Sequence, residues 1–229
     1  MNHFIIWKEL SIFIGINQRA ISEHQHPIIQ LIVGVNGPYL WKDAEGNWIE
    51  RTALLVSPNH SHECDANGRK VAIISIDTDS LLGEYIMNQY LNSQPIIDFS
   101  SNSNSFRFSN LMKLIENSQW AEIHERIEML FSFDHKSSIS SKKDERIIKV
   151  LEHIHNHINS DLNTEILKDV TCLSESRLLH LFKQQMGLPI RNYILWCRIQ
   201  IAFGKIVEGS SLTKAAYYAG FSDQAHLTR

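Results

Sequence analysis

Three histidines in the first third of the chain are the residues best suited to metal chemistry. His24 and His26 stand two residues apart, and His62 follows later. Residues two apart on a strand point to the same face, and a neutral imidazole is a common ligand of transition metals. We therefore expect His24 and His26 to share a face, where they could hold a metal ion together with a later histidine such as His62. His60 is an alternative to His62 that spacing alone does not exclude.

Aromatic residues in the same region suit the lining of a ligand cavity. They are Trp7, Tyr39, Trp41 and Trp48. The predicted effector pocket is lined by Tyr39, Trp41 and Trp48 together with His24 and His26. Packing in an ordinary core accounts for the same aromatic residues, so both interpretations stay open here.

A second pair of histidines, His153 and His157, lies four residues apart in a segment with helical periodicity. This spacing places both rings on one helix face, where they could hold a metal ion together. A solvated helix face explains the same spacing without a metal, and we prefer that interpretation.

Residues 1–78 contain the pattern of a series of short strands. The apolar runs are IIQLIVGV, PYLW, ALLVS and VAIISI, and the turn formers between them include Asn36-Gly37 and Asn67-Gly68, which favour tight hairpins. Many short, closely spaced strands predict a sandwich or barrel. From Asp79 the periodicity becomes helical, and the polar segment HKSSISSKKD at 135–144 predicts an interdomain linker.

The last third of the chain is predicted to be helical throughout. Two segments, ILKDVTCLSESRLLHLFK and AAYYAGFSDQAHLTR, share a short helix, a turn, a serine cap and the start of a second helix. This pattern predicts two helix-turn-helix units in tandem. The helix between them has about 20 residues and would be about 30 Å long, close to the roughly 34 Å of one DNA turn. Two recognition helices held on it could enter successive major grooves.

These segments resemble the AraC/XylS family of transcription regulators. The resemblance covers about residues 145–229 and rests on the order and spacing of family-typical residues. They are Leu162, Leu167, Leu173, Ser174, Leu178, Phe182, Lys183, Gly187, Pro189, Tyr193, Arg198, Ala202, Ala216, Gly220, Phe221, Ser222, Gln224, Leu227 and Arg229. The resemblance implies a regulator that binds promoter DNA, forms a homodimer, responds to a small-molecule effector and, as an activator, contacts RNA polymerase.

The resemblance also implies which residues contact DNA. In the first unit they are Ser176, Arg177, Leu179 and His180 at the bases and Lys183 at a phosphate, and in the second unit Gln224, Ala225, Thr228 and Arg229. Glutamine suits adenine and arginine suits guanine or phosphate, whereas small and apolar side chains discriminate little between bases.

The chain departs from the family's pattern at two positions and at its end. His180 stands where the family often has arginine and is a weaker, pH-dependent donor. Lys168 stands where a small residue usually permits close helix packing, so its stem must reach solvent. Family members continue past Arg229 with a phenylalanine, a lysine, the rest of the recognition helix and a final helix. Because loss of a buried phenylalanine costs about 3–5 kcal/mol, we expect an under-packed second unit and weaker, less specific DNA binding.

The amino-terminal pattern resembles the cupin jelly roll, which many such regulators use as a sensor. Metal-binding cupins carry H-x-H, an acid four residues on, a glycine, and a later histidine after a proline. His24 and His26, Gly37, and Pro58 with His62 fit that order, and Gln30 takes the acid's place. The resemblance therefore implies a metal set of His24, His26, Gln30 and His62, in which the neutral amide is the poorest ligand.

Charge and cysteine content agree with a soluble regulator. The net charge is −3, but residues 142–229 carry 12 Lys+Arg against 9 Asp+Glu, so this third is at +3 and the rest at −6. A mildly basic domain is compatible with DNA binding. Three distant cysteines argue against a disulfide framework, and the sequence shows neither a signal peptide nor a membrane span. We place the protein in the cytoplasm.

The expected fold class is α+β with two domains. We predict a cupin-like, effector-sensing β domain at 1–78, a helical connector and dimerisation region at 79–134, a linker at 135–144, and an incomplete double helix-turn-helix domain at 145–229. An apolar stripe from Leu111 to Phe131 suits a dimer interface or a cover for the sandwich. Two alternatives remain, a truncated protein that senses and dimerises with little DNA binding, and a cupin metalloenzyme.

Overall fold

The computed structural model describes residues 3–7, 9–16, 19–100, 102–134 and 143–228, and of residues 102–107 and 228 only the backbone. The chain divides into two compact units, residues 1–140 and 141–229. Most of the predicted linker, residues 135–142, lies outside the described residues, as does Arg229. No helix of the described segments is long and apolar enough to cross a membrane.

The first unit is a sandwich of two antiparallel sheets. Its described strands are β1 (His3–Ile6), β2 (Leu10–Ile16), β3 (Ile21–His24), β4 (Ile29–Gly34), β5 (Tyr39–Lys42), β6 (Trp48–Arg51), β7 (Ala53–Val56), β8 (His62–Asp65), β9 (Lys70–Ile76) and β10 (Ile96–Asp98). Six strands form one sheet in the order β1-β2-β9-β4-β7-β10, and four form the other in the order β3-β8-β5-β6. The fold is the cupin-like jelly roll that the sequence predicts, although β10 extends it into the predicted helical connector.

The central strand β4 explains how the sandwich is built. Its run of apolar residues is buried on both faces, as expected of a strand covered on two sides. Ile32 faces the four-stranded sheet and packs with Trp41 and Cys64. Its neighbours in the strand, Leu31 and Val33, belong to a second core that contains residues of the connector helices. The six-stranded sheet is therefore the middle layer of the unit.

The connector forms the third layer of that unit. It consists of α1 (Leu81–Ile86) with a π-helical continuation (Met87–Leu91), α2 (Asn102–Glu116) and α3 (Trp120–Leu130). The apolar side chains of the predicted stripe are buried in one core with the sheet, and they include Leu111, Ile115, Ile123, Ile127 and Phe131. The stripe therefore covers the sandwich within the chain, and these side chains are not available as a dimer interface.

The second unit is helical. Its described helices are α4 (Glu145–Asn156), α5 (Thr164–Thr171), α6 (Glu175–Met186), α7 (Ile190–Val207), α8 (Leu212–Tyr218) and α9 (Gln224–Thr228). The side chains of Asp144, Asn163 and Ser211 cap α4, α5 and α8, since they accept hydrogen bonds from amides of the first turn. Gly187 ends α6 in the left-handed conformation that glycine adopts without strain.

Helix α7 belongs to two cores. Its first half packs Tyr193 and Ile194 with α4, α5 and α6. Its second half packs Ala202 against the alanines of α8 and against Phe221. At 18 residues, α7 is about 27 Å long, slightly shorter than the sequence predicts.

Candidate functional site

The first helix-turn-helix unit consists of α5, a turn at Cys172 and α6. Cys172 adopts a left-handed conformation at φ 54°, which turns the chain between the helices. Leu167 of α5 and Leu178 and Phe182 of α6 are fully buried in the core beneath. Because these apolar residues fix one face of α6 inward, the opposite face of α6 is presented to solvent.

The solvent face of α6 carries the residues that the resemblance assigns to DNA. Ser176, Arg177, Leu179, His180 and Lys183 are all exposed. Two of the five are permanent cations, and two more, serine and histidine, can donate hydrogen bonds to base edges. This face can therefore supply both phosphate contacts and base contacts.

Lys168 does not crowd the first unit. Its ammonium group reaches the surface and forms an ion pair with Glu165 Oε2 at 2.8 Å, one turn earlier in α5. The long side chain thus runs along the helix instead of between α5 and α6. Leu167 and Leu178 are fully buried in the same unit.

The second unit consists of α8, a turn at Gly220 and α9. Asp223 caps α9, because its Oδ1 accepts a hydrogen bond from the His226 amide at 2.7 Å, and that bond lowers the pKa of Asp223. The cap is therefore Asp223 and not Ser222, one residue later than the sequence comparison of the two units indicates. Ser174 holds the same N-cap position in α6, although its side chain makes no capping hydrogen bond there. Aligning Ser174 with Asp223 puts His226 at the position of Arg177.

The residues of α9 that are predicted to contact DNA differ in exposure and in hydrogen bonding. Gln224 and Ala225 are exposed at the start of the helix, and Gln224 Oε1 accepts a hydrogen bond from Thr213 at 3.2 Å. Thr228 is the last residue of α9, and Arg229 lies outside the described residues. The sequence analysis missed His226, which only the register set by the Asp223 cap reveals.

The two helix-turn-helix units are joined by more than α7 alone. Arg198, at the middle of α7, donates from Nε to the Ile158 carbonyl at 3.2 Å and from Nη2 to the Ser160 carbonyl at 2.9 Å. Gly220, in the turn of the second unit, lies against the same Ile158 carbonyl, which a Cβ would approach to 2.7 Å. These contacts fix the second unit against the segment between α4 and α5, which leads into the first unit.

The histidine cluster lies at one end of the sandwich. His24 ends β3 and pairs in register with His62, the first residue of β8, and His26 follows in the next turn. The ring centroids are 4.4 Å apart for His24 and His62 and 4.7 Å apart for His24 and His26. The structure thus brings together the three histidines that the sequence singles out, and their ring nitrogens lie within 4.8 Å of one another. His60 instead offers its carbonyl to this group.

Backbone carbonyls fix the tautomers of two of these rings. Nδ1 of His24 lies 2.7 Å from the Ser22 carbonyl, and Nδ1 of His62 lies 2.9 Å from the His60 carbonyl. Because a carbonyl only accepts, each Nδ1 must donate its proton, which leaves Nε2 with a lone pair. Burial, followed by the neighbouring His24 and His62, lowers the pKa of His26 from 6.5 to about 4, and burial also lowers the pKa of His62. Both rings are therefore neutral at pH 7.

Gln30 also belongs to this end of the sandwich. It lies on the same face of β4 as Ile32, inside the sandwich, and pairs with Val56, the last residue of β7. Just beyond Val56, the Asn59 amide donates to the His26 carbonyl at 2.6 Å. Gln30 is 6% exposed, and its Oε1 has no hydrogen-bond partner among the described residues.

A pocket of about 510 Å³ opens beside the cluster. His62 and Trp41 line it, and their rings stack at a centroid distance of 5.4 Å. Among the other predicted pocket residues, His24 and His26 belong to the cluster beside this lining, and Tyr39 and Trp48 lie elsewhere. Tyr39 is 1% exposed in the core between the sheets, because it points inward from the middle of the sandwich. Trp48 is 40% exposed and lies under Lys42, since its position in β6 points away from the core.

The pair His153 and His157 lies on the exposed side of α4. The two rings stack at a centroid distance of 4.2 Å, and His157 Nδ1 donates to the His153 carbonyl at 2.9 Å. Among the described residues, no third metal-binding side chain completes this pair. The arrangement agrees with the solvated helix face that we preferred.

Comparison with known proteins agrees with this architecture. Residues 167–229 match the family model described as "Helix-turn-helix domain". "Probable transcriptional regulator LumQ" of Photobacterium leiognathi is 24% identical over 226 aligned residues, which cover 92% of this chain and 87% of LumQ. The HTH-type transcriptional regulator YbfI of Bacillus subtilis is 31% identical over 91 residues, or 40% of this chain and 33% of YbfI.

Solved structures of ToxT from Vibrio cholerae share the fold of the whole chain. An apo form superposes with a TM-score of 0.60 at 10% identity, covering 96% of this chain and 91% of that one. A form with bound unsaturated fatty acid superposes with a TM-score of 0.58 at 12% identity, covering 99% and 90%. The helix-turn-helix match and the regulator relatives bear out the resemblance to transcription regulators of the AraC type, with the helix-turn-helix domain in the carboxy-terminal unit.

Proposed function

We propose that α6 and α9 read base pairs in two successive major grooves of a promoter and that the sandwich controls this binding. The observation that carries the proposal is that α7 contributes to the cores of both helix-turn-helix units. One rigid helix of about 27 Å then sets the spacing of the two reading helices. Its length is close to the distance between grooves one duplex turn apart, about 34 Å.

In this proposal Arg177 and His180 contact base edges from α6. Arginine makes its best contact with guanine, and a protonated or neutral histidine donates to an acceptor such as guanine N7. Ser176 and Leu179 shape the surface between them, and Lys183 holds a phosphate. In α9, Gln224 contacts adenine, while Ala225, Thr228 and Arg229 complete the second reading surface, with His226 at the position that Arg177 has in α6.

We further propose that residues 1–78 sense an effector, 79–134 connect, 135–144 link, and 145–229 bind DNA. The pocket lined by Trp41 and His62, with His24 and His26 beside it, is the proposed effector site. ToxT, which shares the fold, has been crystallised with an unsaturated fatty acid, and a bound small molecule in this chain would likewise bias the regulator between two states.

Homodimer formation and contact with RNA polymerase are also part of the proposal. Because the stripe from Leu111 to Phe131 covers the sandwich, a dimer must use other residues of the first unit. Sedimentation of the full chain over a range of concentrations measures this directly. A monomer at all concentrations would remove the dimer from the proposal without affecting the reading helices.

The DNA proposal is tested by fluorescence anisotropy on the DNA beside the protein's own gene. Lys183→Ala should weaken binding to every sequence and reduce the salt dependence of the affinity, because one phosphate contact is lost. Arg177→Ala should weaken binding at one base pair by roughly 5- to 100-fold, or about 1–3 kcal/mol, and relax the preference there.

Lys149→Ala is the matched control, because Lys149 is an exposed cation of the same unit on α4. It should leave affinity and base preference unchanged. Equal effects of the three substitutions would contradict the assignment of α6 as a reading helix. Weak binding that depends only on salt would favour the alternative of a sensing protein with little specific DNA binding, and turnover of a substrate would favour the metalloenzyme.

A further inference from the structure

A cavity of about 410 Å³ in the carboxy-terminal unit carries an inference about a further ligand. We propose that this cavity binds a small organic carboxylate with an apolar body, and that the bound carboxylate lowers the affinity of the protein for DNA. The site itself goes beyond the proposed function, and only its effect on DNA rests on that function.

The walls of the cavity come from three parts of the helical unit. They are the start of α5, the first turns of α7, and the turn and reading helix of the second helix-turn-helix unit. The volume lies at the lower end of the range of small-molecule pockets, about 300–1,000 Å³. Because residues of both helix-turn-helix units line the cavity, one small molecule in it would contact both.

Part of the lining is apolar. It includes Leu162, Ile190, Leu195 and Phe221. Leu195 is 41% exposed, so apolar surface of this lining remains in contact with water. A ligand with an apolar body would remove that surface from water and gain affinity by doing so. An inorganic anion would make no use of it.

The charged part of the lining is cationic. Arg191 and Arg198 supply two guanidinium groups, and His226 supplies an imidazole. Among the described residues, this lining contains no aspartate or glutamate. A guanidinium matches a carboxylate with two parallel N–H···O bonds. A carboxylate carries one charge, so it costs less to place beside apolar side chains than a phosphate dianion does.

Arg198 has donors left for such a ligand. Its Nε and Nη2 bind the carbonyls of Ile158 and Ser160, and these are its hydrogen bonds within the described segments. A guanidinium has five N–H groups, so both groups on Nη1 remain for a ligand. Burial lowers the pKa of Arg198, and Asp161, which is exposed and outside the lining, offsets this only in part. A carboxylate in the cavity would stabilise the buried cation.

Arg191 adds a second charge that is not neutralised. It lies two turns before Arg198 on the same face of α7, exposed to solvent. The ion pairs in the described part of this unit involve Arg146, Lys168 and Lys205, so both arginines of the cavity keep their full charge. The start of α5 also lines the cavity, and the amino-terminal end of a helix favours negative charge as well.

His226 connects the cavity to the DNA-reading surface. It belongs to α9, at the position that Arg177 has in α6, and its ring packs edge-on against Phe221 at a centroid distance of 5.3 Å. A carboxylate beside these rings would place negative charge next to a reading helix. Since the DNA backbone is also negative, the bound carboxylate would oppose its approach. We therefore expect the ligand to weaken DNA binding.

The first arm of the test measures binding of a probe. The full chain is titrated by calorimetry with sodium 2-naphthoate and with 2-naphthalenemethanol, which has the same rings without the charge. We expect one site for the carboxylate and affinity at least about 10-fold lower for the alcohol, because hydrogen bonds between charged groups are the stronger ones. Equal affinities, or no binding of the carboxylate, would overturn the proposal.

Two substitutions at exposed positions locate the probe. Arg191→Ala should weaken binding of 2-naphthoate about 10-fold, because a bond to a charged group is lost, and should leave the alcohol unaffected. Leu195→Asp adds a like charge to the lining and should abolish carboxylate binding. Arg198 is left intact because it holds two backbone carbonyls. Unchanged carboxylate binding in both variants would place the probe elsewhere in the chain and overturn the proposal.

Lys149→Ala is the matched control, because Lys149 is an exposed cation of the same unit outside the lining of the cavity. It should leave the affinity for 2-naphthoate unchanged. A loss as large as that of Arg191→Ala would show that only the net charge of the unit matters, which would overturn the proposed site. Circular dichroism of every variant reports whether the fold is retained.

The second arm measures DNA affinity by anisotropy, with saturating sodium 2-naphthoate or with sodium chloride at the same concentration. We expect at least about fivefold weaker binding in 2-naphthoate, in the usual range of coupling between two sites, and a smaller loss in Arg191→Ala. Binding of the probe with unchanged DNA affinity would overturn the effect on DNA.

Two further outcomes separate this inference from the proposed function. If Arg191→Ala weakens DNA binding as much as Lys183→Ala while 2-naphthoate has no effect, the cations of the cavity hold a DNA phosphate and the inference is wrong. Absence of specific DNA binding in both solutions would contradict the proposed function, while the first arm still decides whether the cavity binds a carboxylate.

Discussion

At the scale of single residues, the second helix-turn-helix unit depends on a close approach in which a side chain has no room. Gly220 has a positive φ of 77°, and a Cβ there would lie 2.7 Å from the Ile158 carbonyl and 3.1 Å from Arg198 Nε. Arg198 donates to that same carbonyl. The turn of the second unit, the middle of α7 and the segment between α4 and α5 therefore meet at one point.

We predict that Gly220→Ala destabilises the helical unit more than an equivalent change elsewhere. A positive φ costs an L-residue about 1–2 kcal/mol, and the forced displacement at Ile158 adds about 1–3 kcal/mol. Gly187→Ala is the matched control, because Gly187 has a φ of 73° with nothing within 4 Å of its Cβ position. Urea unfolding followed by far-ultraviolet circular dichroism measures both. Equal losses in the two variants would show that the contact with Ile158 contributes nothing.

At the scale of helices and strands, the carboxylate of Asp144 stabilises the first turn of α4, the first helix of the carboxy-terminal unit. Asp144 caps α4 and accepts hydrogen bonds from the Arg146 amide, Nε and Nη2. These bonds, the side-chain bond first, lower the pKa of Asp144 from 3.8 to about 2. The cap therefore stays ionised in conditions that protonate an ordinary aspartate.

The lowered pKa of Asp144 predicts a dependence of stability on acid. A carboxyl whose folded pKa is below its unfolded value stabilises the fold fully above the unfolded value, here 3.8, and loses that contribution as the pH falls toward 2. The melting temperature of Asp144→Asn should therefore lie below that of the wild type at neutral pH, and the two should converge between pH 4 and 2. A constant difference over that interval would contradict the role of the ionised cap.

The elements that the sequence predicted are those with a clear apolar pattern, either an unbroken run or a helical period. Strands β4 and β7 come from unbroken apolar runs, and α4 to α8 come from helical periodicity and capping residues. Strand β10 was missed, because its three residues, Ile96–Asp98, are too few to show a period. The stripe from Leu111 to Phe131 predicted helices. Whether those helices pack on the sandwich or on a second chain depends on tertiary packing, which the pattern does not show.

The candidate sites were predictable to a similar extent. Spacing placed His24 and His26 on one face, and the cupin resemblance added His62. The structure brings the three together because β3 and β8 are neighbours and His24 pairs with His62. The burial of Gln30 without a partner required the packing of two sheets. Trp48 was assigned to the pocket from its residue type, yet the alternation of β6 turns it outward, and no local pattern fixes which face is inside.

At the scale of the whole molecule, each unit presents one candidate site on a rigid framework. In the first unit, the histidines lie where the two sheets meet at one end of the sandwich. In the second, α7 holds both helix-turn-helix units through separate cores, and the second core is built around small residues, Ala202, Ala215, Ala216 and Ala219. Close packing of α8 on α7 therefore determines where α9 can meet DNA.

The most direct test of whether α6 and α9 read two successive major grooves is a hydroxyl-radical footprint of the full chain on its own promoter. The footprint is recorded for the wild type and for Ala216→Leu. Ala216 belongs to α8 and is fully buried in the core that α8 shares with α7, so a larger side chain should displace the second unit. Ala121→Leu is the control, because Ala121 is exposed on α3. We predict two protected segments centred about 10.5 base pairs apart for the wild type and the control, and loss of only one segment in Ala216→Leu. A single protected segment in the wild type, or loss of both together in Ala216→Leu, would contradict two groove-reading units held on one helix.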